Sequence, residues 1–389
     1  MKHYDFDEVI ARKGTNCVKH DLLNVLYGRD DLTPMWVADM DFRSPDFVMD
    51  ALRERCEHEV LGYGIPPEGY WQSVETWFKN HYDIDAQRNT MHFIPGVVAG
   101  IAYALLALTD PGDRILVTTP VYPPFLNLPK ACGRQLECSP LKVSEGRFAI
   151  DWDDLEQRAS RCRMLILSNP HNPAGTVWGH DVLQQIADIC ERHHLTVISD
   201  EIHADLTLFD HHHVSYSTVG VSARNHSITF VAPSKTFNIA GLGSSVAYVA
   251  DEGLRRRFFG WLDQMGVAGG NIFAYTGAQA AFTHGEEWRR QVVDYLQGNV
   301  ALVARRIQEW MPNVHALLPE ASYLVWIDFS ALGFSHEELN DRLVTKAHVA
   351  MNDGITFGGE AYSQCFRLNI GCPRNTLDEV LRRIADAMK

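Results

Sequence analysis

The chain has eight cysteines (17, 56, 132, 138, 162, 190, 365 and 372) but no C-x-x-C pair. That absence argues against a metal knuckle and a compact disulfide framework, and reduced, mostly buried thiols are expected. Long apolar runs are missing too. The longest, V-V-A-G-I-A-Y-A-L-L-A-L at 97–108, is too short to cross a bilayer, so no membrane partner is expected. Positive charge is not in excess: 35 basic residues stand against 49 acidic ones, a net charge of −14. A nucleic acid is therefore not the expected partner, and an anionic ligand must be met by local donors. The start, M-K-H-Y-D-F-D-E, is charged throughout and does not read as a secretory leader, so the expected location is cytoplasmic.

Several catalytic signatures are lacking as well. There is no G-x-S-x-G and no H-E-x-x-H, Lys235-Thr236 lacks the upstream glycine of a P-loop, and G-L-G-S-S-V at 241–246 lacks the third glycine of a dinucleotide fingerprint. His211, His212 and His213 form a run that could hold a metal. Nothing nearby supplies ligand spacing, so a polar loop after Phe209 is expected and no metal site is assigned. Asp39 and Asp41 could be an acid/base pair, though such a pair is more often a loop or cap.

What is present is a repeated design. Three apolar runs end in polar groups: M-L-I-L-S-N-P-H-N-P-A-G (164–175), L-T-V-I-S-D-E-I-H-A-D (195–205) and S-I-T-F-V-A-P-S-K-T-F-N (227–238). From 114 to 250 such runs alternate with helical patterns, the signature of a mostly parallel sheet. In an open α/β sheet the carboxyl ends of the strands line one crevice, where ligands bind. Asn172, Asp200 and Lys235 are thus candidates to face one another. Of the 389 residues, 46% are hydrophobic and 22% charged, ordinary for a globular chain with room for two domains.

Other patterns fill in the frame. Ser44 with Pro45 reads as a capped helix start, with Phe47, Val48, Ala51 and Leu52 on one face. A second helix is expected at roughly 68–80. Gly96 opens the all-apolar helix 97–108, which should be buried and whose first amides form an anion site. Tyr122 lies in a proline-framed loop. A long helix is expected over 286–310, and strands over 322–329 and 363–371. Ser335 with Glu338, and Thr376 with Glu379, read as capping boxes. The division expected is an N-terminal segment (1–43) joining the small domain, a large domain (44–285) and a smaller α+β domain (286–389).

An amine, an aspartate, an asparagine and an aromatic ring on strand ends, beside a glycine-opened helix, suit pyridoxal phosphate. The amine condenses with its aldehyde, a carboxylate keeps its ring nitrogen protonated, and a helix N-terminus takes its phosphate. The motifs N-P-H-N-P-A-G, S-D-E-I-H-A-D and P-S-K-T-F-N also resemble the fold-type I enzymes of the aspartate-aminotransferase superfamily. W-V-A-D-M-D-F (36–42), I-P-G-V-V (94–98) and F-R-L-N-I-G-C-P-R (366–374) resemble its MalY/PatB branch of cystathionine β-lyases, or C–S lyases.

That resemblance implies a seven-stranded, mostly parallel sheet between helices and a homodimer with shared active sites. It implies that Lys235 carries pyridoxal 5′-phosphate and acts at Cα, while Asp200 holds the ring nitrogen. Asn172 and His203 would lie near the phenolic oxygen and Tyr122 over the ring. Val97, Val98 and Ser234 would take the phosphate, with Tyr63 reaching it from the other subunit. Arg367, with Asn172 and Ala38, would bind the carboxylate of a small amino-acid substrate; the bland alternative for Arg367 is a surface residue on an edge strand. Gly243 stands where ordinary superfamily members have a phosphate-binding arginine, and Ala232 where many have serine. The expected reaction is β-elimination from an L-cysteine S-conjugate, with amino transfer to a 2-oxo acid as the alternative. The branch includes a regulatory member, so a transcription regulator is a further expected partner, and a regulatory protein keeping the fold is the reading of another class.

Overall fold

M-L-I-L-S, T-V-I-S-D and S-I-T-F-V are apolar or small at nearly every position, so both faces of each strand must be covered. In the computed structural model, which describes residues 2–267 and 269–389, they are adjacent inner strands of a seven-stranded sheet. Its strands are β1 (Met91–Ile94), β2 (Arg114–Thr119), β3 (Gln135–Pro140), β4 (Met164–Ser168), β5 (Thr196–Asp200), β6 (Ser227–Val231) and β7 (Ser245–Tyr248). The spatial order is β1-β7-β6-β5-β4-β2-β3. Strands β2 to β6 pair in parallel, and β7 runs antiparallel to both neighbours.

The pleat divides the side chains between two cores. Leu116, Leu165, Leu167 and Val197 pack on one face, Ile115, Val117, Ile166 and Ile198 on the other. The helices α1 (Asp46–Glu57), α2 (Glu68–Tyr82), α3 (Val97–Leu108), α4 (Pro123–Ala131) and α5 (His180–Arg192) belong to this part of the chain. The apolar α3 is buried along one face only: Ile101 and Leu105 are inside, while Val98 and Leu106 are exposed. Gly100 lets it lie directly on β6, because a Cβ there would meet the Phe230 ring at 2.7 Å.

Register aligns the strand ends. Ser168 is opposite Asp200, and Asp200 is opposite Phe230. The chain leaving each strand therefore emerges at the same edge, which carries Asn172, Asp200 and Lys235 to one crevice.

A smaller antiparallel sheet has the order β8 (His315–Leu317), β9 (Leu324–Asp328), β11 (Cys365–Asn369), β10 (Asn352–Asp353). Arg367 thus sits on an inner strand, between Trp326 and Asn352. Helices α6 (Glu286–Trp310) and α7 (Arg374–Ala387) pack with it. The N-terminal segment is fastened to this domain: Thr33–Pro34 forms a separate two-stranded parallel sheet with Val349–Ala350, and Asn369 Nδ2, on β11, donates to the carbonyls of Val37 and Asp39 at 2.5 and 2.6 Å.

Two expected caps are corrected. The Ser44 hydroxyl donates to the Asn238 carbonyl at 2.9 Å instead of capping α1, and Pro45 takes the cap position. Thr376 lies inside α7, which starts at Arg374; the Tyr295 hydroxyl accepts the Arg374 amide at 2.7 Å and meets the need a cap would fill. The Ser335–Glu338 capping box is formed.

The loop carrying Asn172 abuts the approach to β9. Gly175 has φ +67°, and a Cβ there would stand 2.1 Å from the Ala321 carbonyl oxygen. The same Gly175 carbonyl accepts the amides of Glu320 and Ala321 at 3.1 and 2.9 Å. Gly175→Ala is expected to destabilise the protein by about 2–4 kcal/mol, read as a lower urea midpoint at constant slope.

Candidate active site

Lys235 lies in the turn after β6, and its Nζ donates to the Ala38 carbonyl at 2.6 Å. Burial lowers its pKa to about 8, with the Arg367 charge acting in the same direction and Asp39 and Asp200 opposing. Asp200 closes β5 and is buried. Among the described residues no cation pairs with its carboxylate, which accepts the Ile202 amide at 3.1 Å. Burial pushes its pKa up to about 7. Three residues on, the His203 ring is buried with Nδ1 unpartnered, and burial followed by the nearby Lys235 and Arg367 charges lowers its pKa to about 3. It is a neutral imidazole with an open nitrogen.

Arg367 comes from the opposite sheet and is 3% exposed. One Nη donates to Asn172 Oδ1 at 3.0 Å, the other to the Trp36 carbonyl at 2.8 Å and to Asn352 Oδ1. Its Nε has no partner, and among the described residues no carboxylate pairs with it. Burial brings its pKa down to about 10. A buried guanidinium without a counter-ion is a site for an anion, and its planar fork suits a carboxylate. Tyr122 stands at the start of α4, half-buried, where Arg367 and Asp200 both act on it.

Val97 and Val98 begin α3 after Gly96, which has φ 136° and offers no side-chain cap, so the first amides point outward. Gly243 lies against the preceding turn: a Cβ there would stand 3.3 Å from the Pro95 carbonyl. Ser234 adjoins Lys235 and is half-buried.

One candidate is not brought to this group. Tyr63 is fully exposed on the loop before α2, together with Val60, Leu61 and Ile65. Conversely, Tyr323 joins the group with no signal in the sequence to mark it. It is wholly buried, its hydroxyl donates to the Ala38 carbonyl at 3.0 Å, and its ring sits edge-on to His203. In sequence it is one aromatic of a strand, with nothing to mark it. Asn352 was missed for the same reason. Asp39 and Asp41, weighed as an acid/base pair, are bound by Arg12 and by the buried Lys19. His213 turns inward, its Nε2 2.8 Å from Glu201 Oε2.

The amine, the unpaired carboxylate, the open imidazole nitrogen, the bare helix start and the unpaired guanidinium fit a molecule with an aldehyde, a basic ring nitrogen and a phosphate, holding an amino acid. The model for aminotransferase class I and II matches residues 39–384. Cystathionine beta-lyase PatB of Bacillus subtilis is 39% identical over 388 residues, covering 99% of this chain and 100% of that one. The chain belongs to the MalY/PatB branch of the class I and II aminotransferase family. Two solved structures agree with that family fold. Cystalysin from Treponema denticola, which contains a pyridoxal 5′-phosphate cofactor, superposes with a TM-score of 0.95 at 31% identity over 99% of both chains. The pyridoxal-phosphate-bound C–S lyase of Staphylococcus hominis superposes with a TM-score of 0.92 at 30% identity, over 100% of this chain and 98% of that one.

A pH dependence follows from Asp200. The folded state holds its proton up to about pH 7, whereas the unfolded chain loses it near 3.8. Between those values the folded protein binds more protons, so stability falls as pH rises. Asp200→Asn removes that slope. Without cofactor, the variant is expected to exceed the wild type in stability at pH 8 by on the order of 1–3 kcal/mol, with the advantage gone at pH 4 in urea melts.

Proposed function

We propose that the protein is a pyridoxal-phosphate-dependent carbon–sulfur lyase. It cleaves the Cβ–S bond of L-cysteine S-conjugates such as L-cystathionine, giving a thiol, pyruvate and ammonia with uptake of one water. The observation that carries this reading is three ionisable groups brought to one crevice without an ion partner among the described residues: half-buried Lys235 and buried Asp200 from the large sheet and buried Arg367 from the small one.

Asp200 would accept a hydrogen bond from the protonated ring nitrogen. The amides of Val97 and Val98 and the Ser234 hydroxyl would hold the phosphate, in place of an arginine at Gly243. Tyr122 would cover the ring face, and Asn172 and His203 would stand at its phenolic oxygen. Bound there, pyridoxal 5′-phosphate supplies an aldehyde for the substrate amino group and a ring that draws negative charge from Cα. Arg367 would grip the substrate carboxylate, with Asn172 and the Ala38 main chain beside it. Lys235, with a pKa of about 8, is a base usable near neutral pH and would take the Cα proton. The electron pair of the broken C–S bond leaves with sulfur.

We also take residues 1–43, 44–285 and 286–389 as joining segment, large domain and small domain. The working unit in this reading is a homodimer, because Tyr63 and its apolar neighbours Val60, Leu61 and Ile65 project from a single chain. Tyr63 would complete the phosphate site of the second copy.

Purified protein given L-cystathionine without any 2-oxo acid is expected to release pyruvate continuously. Turnover that starts only when 2-oxoglutarate is added would instead establish an aminotransferase. Lys235→Ala should abolish release and the borohydride-sensitive yellow absorbance. Arg367→Lys should raise KM roughly tenfold or more with a smaller change in kcat. Mixing Lys235→Ala with Tyr63→Phe subunits should restore one unimpaired site per hybrid dimer; activity no greater than the sum of the separate variants would count against shared sites.

A further inference from the structure

Asp205 is buried five residues beyond Asp200 and has no part in the chemistry above. Its Oδ1 accepts from Trp77 Nε1 at 3.0 Å and from the Tyr82 hydroxyl at 2.5 Å, and its Oδ2 accepts from the Thr236 hydroxyl at 2.9 Å. Among the described residues no side-chain cation pairs with this carboxylate; Arg289 donates to the main-chain carbonyl of Asp205 at 3.0 Å. Three neutral donors converge on a buried anion, and such charge-assisted bonds are strong and directional.

The placement of these donors is what matters. Trp77 and Tyr82 are buried residues of α2. Thr236 follows Lys235 in the turn leaving β6, whereas Asp205 lies in the turn leaving β5, which also carries Asp200 and His203. The Thr236–Asp205 bond is therefore a cross-tie between the two turns that carry the amine and the acid. Phe237, wholly buried between Trp77 and Trp288, keeps the lysine turn from rolling. Lys235 and Asp200 attract each other across the crevice, yet they form no ion pair. The groups facing the amine are the Ala38 carbonyl and Asp39 from the N-terminal segment, Asp200 and His203 from β5 and its turn, and Arg367 from β11.

We propose that Asp205 is a positioning residue which, through Thr236, holds the Lys235 amine away from Asp200 at the separation a pyridine ring needs. What lies between the two groups rests on the cofactor reading above; the Thr236–Asp205 bond belongs to the bare chain. Thr236→Val removes the tie at constant shape, Thr236→Ser keeps the hydroxyl, and Tyr82→Phe removes a different donor to Asp205 while leaving the ring contacts of Phe237 in place.

In cofactor-free protein the pH dependence of Lys235 acylation is read by peptide mass spectrometry. The midpoint is expected to rise by about half a pH unit or more in Thr236→Val, as the amine closes on Asp200, and to return in Thr236→Ser. Tyr82→Phe is expected to lower thermal stability while leaving that midpoint in place. In the loaded enzyme, Thr236→Val is expected to release pyridoxal phosphate roughly tenfold faster on dialysis and to lose kcat roughly tenfold, with KM within about threefold. An unchanged midpoint in Thr236→Val, or an equal shift in Tyr82→Phe, would overturn the proposal. A wild type that takes up no pyridoxal phosphate would sink the lyase reading while the acylation result still decides the tie.

Discussion

Opposite charges buried in one crevice ordinarily collapse into ion pairs, because a lone buried charge is among the most expensive groups a fold can keep. Here Asp200 and Arg367 are buried, Lys235 is half-buried beside them, and the three form no ion pair with one another. Each shows the strain in its proton affinity: the carboxylate is pushed up, and the amine and the guanidinium are brought down. The rest of the structure can be understood as what prevents their collapse. Such a site has its polar groups already aimed, so a charged ligand meets them without first reorganising the protein.

Several unrelated stretches do the holding. The N-terminal segment is clamped by Asn369 and Asn238, and it presents the Ala38 carbonyl to the lysine amine. Tyr323 donates to the same carbonyl from the small sheet. The loop carrying Asn172 is fastened by His171, whose Nε2 donates to the Pro120 carbonyl at 2.8 Å, next to the Tyr122 turn. Asp205 ties the two strand-end turns from behind. Each of these bonds joins segments far apart in sequence, so the site is a property of the assembled chain.

Much of this was legible from residue patterns. Strands β4, β5 and β6 announced themselves because buried parallel strands need apolar faces on both sides, and their ends then had to share an edge. Lys235, Asp200 and Asn172 followed from that single rule, and motif resemblance added Arg367. Cap positions at Ser44 and Thr376 were misread because a hydroxyl near a helix start has other partners available: the Asn238 carbonyl took one, and Tyr295 made the other unnecessary. Tyr323 and Asn352 were invisible, since a residue on a strand carries no mark of what faces it from another sheet.

Local order along this chain is dictated by spacing: which runs become strands, which turns follow them and which polar groups those turns deliver. Such spacing acts through backbone sterics and burial, which need only near neighbours. Whether a given charge finds a counter-ion depends on how segments meet in the folded chain, near or far along the sequence. Arg367 is left without a carboxylate, and Asp39 and Asp41 are neutralised by Arg12 and Lys19, because of how the N-terminal segment lies across the small sheet. An ion pair needs its two groups in near contact, and only the packed chain brings them there.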